Sequence, residues 1–268
     1  MRVCLRNRGM AFEASRCNNA SKRVVGMNGL LQTQNLQVAY GDERVLKGVS
    51  VQVTSGEFVA LIGPNGAGKT TLLHAIAGMA TPCGGSVTIA GYDLAKSPRE
   101  AKGAMGLSVD PAYLPVLLTG RECLALFAGA RGLPAIPPAI LALAETLSLT
   151  STLDRRIASY SLGMRQKLGI LLGLIGEPPL LLLDEPFNGL DPRSALAFKA
   201  HLDALVTKGD ASVVLATHSL DVAERHATRV VLLMDGRLRK TWDAADLTAM
   251  REDSERSLEQ AMSEACEI

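Results

Sequence analysis

Residues 63–71 read GPNGAGKTT and follow directly on the apolar run Glu57–Ile62, a pairing that constrains the fold more than any other segment. The nine residues fit the spacing G-x-x-x-x-G-K-[ST]. Gly63, Gly66 and Gly68 let the backbone turn tightly and approach an anion, with Pro64, Asn65 and Ala67 between them. The loop N–H groups then converge at a helix N-terminus, where the helix dipole favours phosphate. Lys69 supplies a point charge for β- and γ-phosphates, and Thr70 a hydroxyl ligand for Mg²⁺. Thr71 completes the run. A strand before the loop and a helix after it predict a nucleoside triphosphate site over residues 63–71.

The rest of the chain is consistent with an α/β fold around that loop. Short apolar runs at Ser50–Val53, Ser86–Ile89, Leu180–Asp184, Ser212–Ala216 and Arg229–Met234 read as strands. Helical patterns at Lys69–Ala77, Ala139–Leu147, Gly163–Ile175 and Arg193–Val206 lie among them. The alternation predicts a mostly parallel core sheet covered on both faces. Strands near residues 34–62 with no helix between them predict an added antiparallel β layer. The stretch 95–162, mostly helix and loop with few strands, is expected to be a helical insertion lobe, within a nucleotide-binding domain spanning 30–243. The polar tail 244–268 is expected to form an amphipathic helix over Ala244–Ala265. Residues 1–29 are Arg- and Ser-containing and aperiodic. They fit a disordered tail, a start upstream of a true beginning at Met27, or a transit peptide; no apolar run marks a secretory signal.

Charge narrows the partners. Lys and Arg number 28 against 27 Asp and Glu, and aromatics make up only 4%, so neither a basic face nor a stacking platform for nucleic acid is expected. The five cysteines have no CxxC spacing, which argues against a zinc or disulfide framework. No apolar stretch reaches the roughly 18 residues of a membrane span; Leu168–Leu183 is broken by Glu177-Pro178-Pro179.

Three further segments carry chemistry. Leu180–Leu183 runs into Asp184 and Glu185, at the carboxyl end of a strand where parallel sheets bind ligands. Asp184 is placed to hold Mg²⁺, and Glu185, on the diverging side, to polarise the attacking water. Ser212–Ala216 ends in Thr217-His218, which places His218 to sense a γ-phosphate. Tyr160-Ser161-Leu162-Gly163 precedes a helix; Ser161 is a good N-cap, and Ser161 with Gly163 forms a second anion cradle. One chain with one triphosphate site has no use for a spare cradle, unless it faces a partner's nucleotide.

Taken in order, GPNGAGKTT, YSLGMRQ, LLLLDEP, NGLD (188–191) and TH (217–218) resemble the ATP-binding subunit of ABC transporters over about residues 34–242. The resemblance implies ATP and Mg²⁺ as cofactors. It implies that Tyr40 stacks on adenine, that Glu185 is the general base and that His218 is the switch histidine. Asp191 would be the acidic residue of the loop at the dimer interface, and Ser161 and Gly163 would touch the γ-phosphate bound by the opposite subunit. It further implies a second ATP-binding subunit, identical or a paralogue, and a membrane-spanning permease that would hold the chain at the cytoplasmic face of the cell membrane.

Two departures refine the expectation. Leu162 stands where the family's signature usually has its first Gly, and this variant together with DEPFNGLDP (184–192) resembles the branch serving ABC-2-type exporters. The family's metal-ligating Gln is replaced by Asp110, and no Gln occurs from Val53 to Arg165. An Asp can still ligate Mg²⁺, though a charge about 4 Å from a γ-phosphate matters by several kcal/mol unless metal offsets it. The exporter ATPase reading is weighed against an importer ATPase, a soluble ABC ATPase acting on ribosomes or DNA, and an inactive regulatory subunit. The missing Gln disfavours the importer, the neutral charge the nucleic-acid role, and the intact Lys69, Asp184, Glu185 and His218 the inactive one.

Overall fold

The computed structural model describes residues 29–252 and 257–266. The expectation for the N-terminal extension therefore falls almost wholly outside the described residues. The strands are β1 (Leu31–Tyr40), β2 (Glu43–Val49), β3 (Gln52–Val53), β4 (Phe58–Ile62), β5 (Gly84–Ile89), β6 (Tyr92–Asp93), β7 (Met105–Leu107), β8 (Leu180–Asp184), β9 (Ser212–Ala216), β10 (Arg229–Met234) and β11 (Arg237–Trp242). The helices are α1 (Lys69–Ile76), α2 (Pro98–Gly103), α3 (Gly120–Ala130), α4 (Pro138–Thr146), α5 (Leu162–Leu174), α6 (Pro192–Thr207), α7 (Leu220–His226), α8 (Ala244–Glu252) and α9 (Leu258–Cys266).

Two sheets form, as the alternation predicts. The core sheet runs β11-β10-β4-β9-β8-β7 and is parallel except for the β10–β11 hairpin. The second sheet runs β2-β1-β5-β6 with β3 paired to β1, all antiparallel. The reason for continuous apolar strands is visible in β4. Phe58, Ala60 and Ile62 face one apolar cluster, whereas Val59 and Leu61 face the other. Side chains alternate along a strand, so a sheet buried on both faces has no polar position to spare. One cluster joins the core sheet to α3–α6 and the other joins it to α1 and the antiparallel sheet.

The expected insertion 95–162 contains an element that belongs to the core sheet. Met105–Leu107 pairs in parallel with Leu180–Leu182 as the edge strand. Three residues with a central Gly106 carry little strand propensity; the strand is set by helix packing. Gly169 and Gly173, four apart on α5, leave room for the carbonyls of Val109 and Leu107, so α5 lies directly on this edge. Within the stretch expected to be one helix, Ala244–Ala265, the described residues form α8 and α9. Among the described residues no helix is long and apolar enough to cross a membrane.

Candidate functional site

The carboxyl ends of β4, β8 and β9 lie side by side, since β9 pairs with both β4 and β8. The loops leaving them build the site. After β4, Gly63 lies so close to the Leu233 carbonyl that a Cβ would collide with it, at φ 151°. Gly66 and Gly68 take φ of 80° and 104°, and Gly68 sits at the N-cap of α1. Lys69 is buried, and its Nζ donates to the carbonyls of Gly63 at 2.7 Å and Pro64 at 3.1 Å. These bonds hold the ammonium at the loop. Pro64, Asn65, Gly66 and Thr70 are exposed, Thr71 is half-buried, and Ala67 and Gly68 are buried behind them.

Asp184 ends β8. Burial pushes its carboxyl above the usual range; a hydrogen bond from Thr70 and the charges of His74 and Lys69 pull it down, and Glu185 pushes it up. The donor set is all oxygen, a hydroxyl and a carboxylate, and a desolvated carboxylate beside a second one gains from a hard cation. The pair therefore fits Mg²⁺. A carboxyl raised on folding costs nothing below its unfolded value and costs most above its folded value, so at neutral pH it opposes folding. Asp184→Asn is thus expected to raise the Tm of the nucleotide-free protein and to abolish the further rise given by Mg²⁺ with ATP. Calorimetry with and without the metal checks both.

Glu185 takes φ 43°, unusual for a residue with a side chain. Such a conformation costs roughly 1–3 kcal/mol and persists only where neighbours impose it. They do so here: its N–H donates to the Ala216 carbonyl at 2.9 Å, and its carbonyl accepts from Asn188 N at 3.1 Å. One carboxylate oxygen lies 2.9 Å from His218 Nδ1, and the other accepts from the Thr217 hydroxyl at 3.3 Å. Glu185 and His218, expected from sequence as separate roles, form one unit. A cleft of about 510 Å³ opens over them, lined by Gly63, Pro64, Asn65, Glu185, Asn188, His218, Leu220 and Met262.

Two further residues order the carboxylates. Thr217 is buried and orders Glu185, and buried Ser108 accepts from Asp184 N at 3.3 Å. Thr217 stands beside His218 in the sequence and is legible there; a lone Ser108 just after the short β7 carries no signal.

Ser161 and Gly163, expected to form a second cradle, are not among the cleft-lining residues. Ser161 caps α5, accepting from Met164 N at 3.2 Å, and Leu162 beside it is 66% exposed. Tyr160 is buried, with its hydroxyl donating to the Thr152 carbonyl. The start of α5 is tied to the segment after Glu185. Gln166 Nε2 donates to the Pro186 carbonyl at 3.3 Å, Gly163 lies against the Gly189 carbonyl, and Lys167 Nζ meets Asp191 Oδ2 at 2.7 Å. Asp191 also caps α6 through Ser194, and Lys167 with Ser194 holds its carboxyl well below the usual range.

Two expected residues are placed differently. Tyr40 ends β1 in a hairpin turn, 55% exposed and not among the cleft-lining residues. Asp110 is exposed, and its carboxylate accepts from Ala112 N at 2.7 Å to cap a short turn, Pro111–Tyr113. It makes no hydrogen bond with the Thr70–Asp184–Glu185 group. The same loop leaves Tyr113 and Leu117 exposed at 70% and 79%.

The family model described as ABC transporter matches residues 46–188. An uncharacterised ABC transporter ATP-binding protein of Bacillus subtilis, YdbJ, is 37% identical over 211 residues, covering 78% of this chain and 68% of that protein. The Nod factor export ATP-binding protein I of Rhizobium meliloti is 37% identical over 206 residues, 74% of this chain and 60% of that one. The chain therefore spans about two thirds or less of these relatives' length. A dimeric ATP-binding cassette in a post-hydrolysis state with ADP and Pi, MJ0796, superposes with a TM-score of 0.72 at 26% identity, covering 80% of this chain and 98% of that one.

Proposed function

The chain belongs to the ABC transporter family, and from that premise we propose that it is the ATP-hydrolysing subunit of an ABC-2-type exporter, working as a head-to-tail dimer on a membrane-spanning permease. The observation that carries this reading is the Glu185–His218–Thr217 unit held beside the Lys69 loop in one open cleft.

The residues divide the work as follows. The 63–71 loop cradles the phosphates of ATP through backbone N–H groups, with Lys69 on the β- and γ-phosphates. Thr70 and Asp184 would hold Mg²⁺, which would offset charge on the phosphate oxygens. Glu185 Oε1 or Oε2 accepts a proton from water as the water oxygen bonds to the γ-phosphorus and the bond to the β,γ-bridging oxygen breaks. His218 and Thr217 fix the carboxylate so that little reorganisation is needed. Tyr40, exposed at its hairpin, offers a ring to adenine. Ser161 and Gly163 complete the site of the opposite subunit, and Asp191 joins that cradle to Glu185's own segment through Lys167. ATP then joins two copies and hydrolysis releases them. Residues 30–243 form the working cassette in this reading, with the helical lobe 95–162, edge strand β7 apart, turned to the permease.

A partner at that face would cover Tyr113, Val116 and Leu117, which stand exposed close together in the sequence on the Asp110 loop. The export direction is supported by the Leu162 signature and by the likeness to a Nod factor export protein. An importer remains the second reading on family grounds, and a partner gene for a solute-binding protein would favour it. Co-purification tests the proposal: a permease with about six apolar spans of roughly 20 residues each should come down with the chain. Asp110→Ala removes the turn cap, and we expect transport per ATP hydrolysed to fall while nucleotide affinity stays the same. Unchanged transport and turnover would take Asp110 out of the machinery.

A further inference from the structure

We propose that the tail helix α9 is part of the contact between two copies of this chain, with Leu162 of one copy seated against Leu220 and Met262 beside the catalytic cleft of the other. This rests on the head-to-tail reading above and adds a surface to it. α9 is tied down at both ends. Leu258 N donates to Glu224 Oε2 at 2.9 Å, and Cys266 Sγ lies 3.4 Å from Met234 Sδ at the end of β10. Leu258 is buried, and Ala261, Met262 and Ala265 pack on the core. So anchored, the helix turns Met262 into the rim of the cleft that holds Glu185 and His218. Leu220, at the start of α7, is the neighbouring apolar wall.

The occupant follows from what the chain exposes elsewhere. Leu162 is the first residue of α5, 66% exposed, immediately after Ser161. Consecutive Cα atoms lie about 3.8 Å apart. A Ser161 that reaches the phosphate end of another copy's cleft therefore carries Leu162 to that cleft's rim. Each copy presents one Leu162 and one Leu220–Met262 rim, so the contact occurs twice and closes on itself, as a two-fold dimer requires. Methionine's flexible thioether suits a surface that must pack in the closed dimer and part in the open one. A glycine at 162 would leave that rim without a counterpart.

Disulfide trapping tests the contact. Leu162→Cys and Met262→Cys are combined in one full-length chain that also carries Glu185→Gln, Cys4→Ser, Cys17→Ser, Cys83→Ser and Cys266→Ser, and oxidised with and without ATP·Mg²⁺. The expected result is a covalent dimer that forms with ATP and that neither single cysteine variant gives. An ATP-dependent dimer by size exclusion without the cross-link overturns the α9 contact and leaves the sandwich standing. A chain that stays monomeric with ATP removes both, and a link within one chain also overturns the proposal. A second measurement uses the native cysteines: Met262→Asp should weaken ATP-driven dimerisation about 10-fold or more, and Met262→Leu should restore it. Equal dimer affinity in the Asp variant, with unchanged Tm, contradicts the proposal.

Discussion

Glu185→Gln is expected to cut ATP hydrolysis by about 100-fold or more while leaving ATP binding intact, because a positioned general base contributes on that order. The amide is nearly isosteric and can keep a hydrogen bond to His218 or Thr217, so the site should retain its shape. It cannot accept the proton of water at neutral pH. The variant should then accumulate as an ATP-bound dimer, visible by size exclusion and lost when ADP replaces ATP. The left-handed backbone at Glu185 sharpens the expectation. That conformation is imposed by bonds to Ala216 and Asn188, which the substitution does not touch. A Glu185→Gln protein that hydrolyses ATP near the wild-type rate would move the base elsewhere.

Lys69→Ala should act one step earlier. The ammonium is buried and fixed by two loop carbonyls, so it is already positioned for phosphate. Hydrogen bonds involving a charged group are worth about 1.5–3 kcal/mol, or roughly 10- to 100-fold in affinity. We expect ATP affinity to fall by that factor in titration calorimetry, and no dimer to form at ATP concentrations that saturate the wild type. The fold itself should hold, because α1 keeps Leu72, Leu73 and Ile76 in the core. ATP binding of wild-type strength in this variant would contradict the assignment of residues 63–71.

Most of the architecture was readable because the signals were dense. β4 is wholly apolar and β8, β9 and β10 are apolar but for one terminal residue each, and a doubly covered sheet accommodates such runs. The phosphate loop combined a motif with its strand and helix, and these reinforce one another. Edge strand β7 was hidden because its identity depends on the close approach of α5, a tertiary fact with only the Gly169–Gly173 spacing as its trace. For the site, residue types at motif positions were legible, but their coupling was not. Nothing local links His218 to Glu185, 33 residues apart in sequence, or Lys167 to Asp191, 24 apart. For Asp110, sequence position points to metal, and the structure adds that its carboxylate caps a turn. Met262 could not have been placed at the cleft from sequence, since an amphipathic tail carries no information about where it docks.

The central claim is that each hydrolytic site is shared, with Lys69 and Glu185 from one copy and Ser161 with Gly163 from the other. Mixing two inactive variants tests this most directly. Lys69→Ala disables the phosphate loop and leaves the signature intact; Ser161→Arg does the reverse. Mixed at equal amounts, and at ATP concentrations raised until both variants pair, half the dimers are hybrids and each hybrid has one whole site. The mixture should therefore recover about a quarter of the wild-type ATPase rate, when neither variant alone shows activity. No recovery from a mixture that dimerises, or full hydrolysis by Ser161→Arg alone, would contradict the shared site.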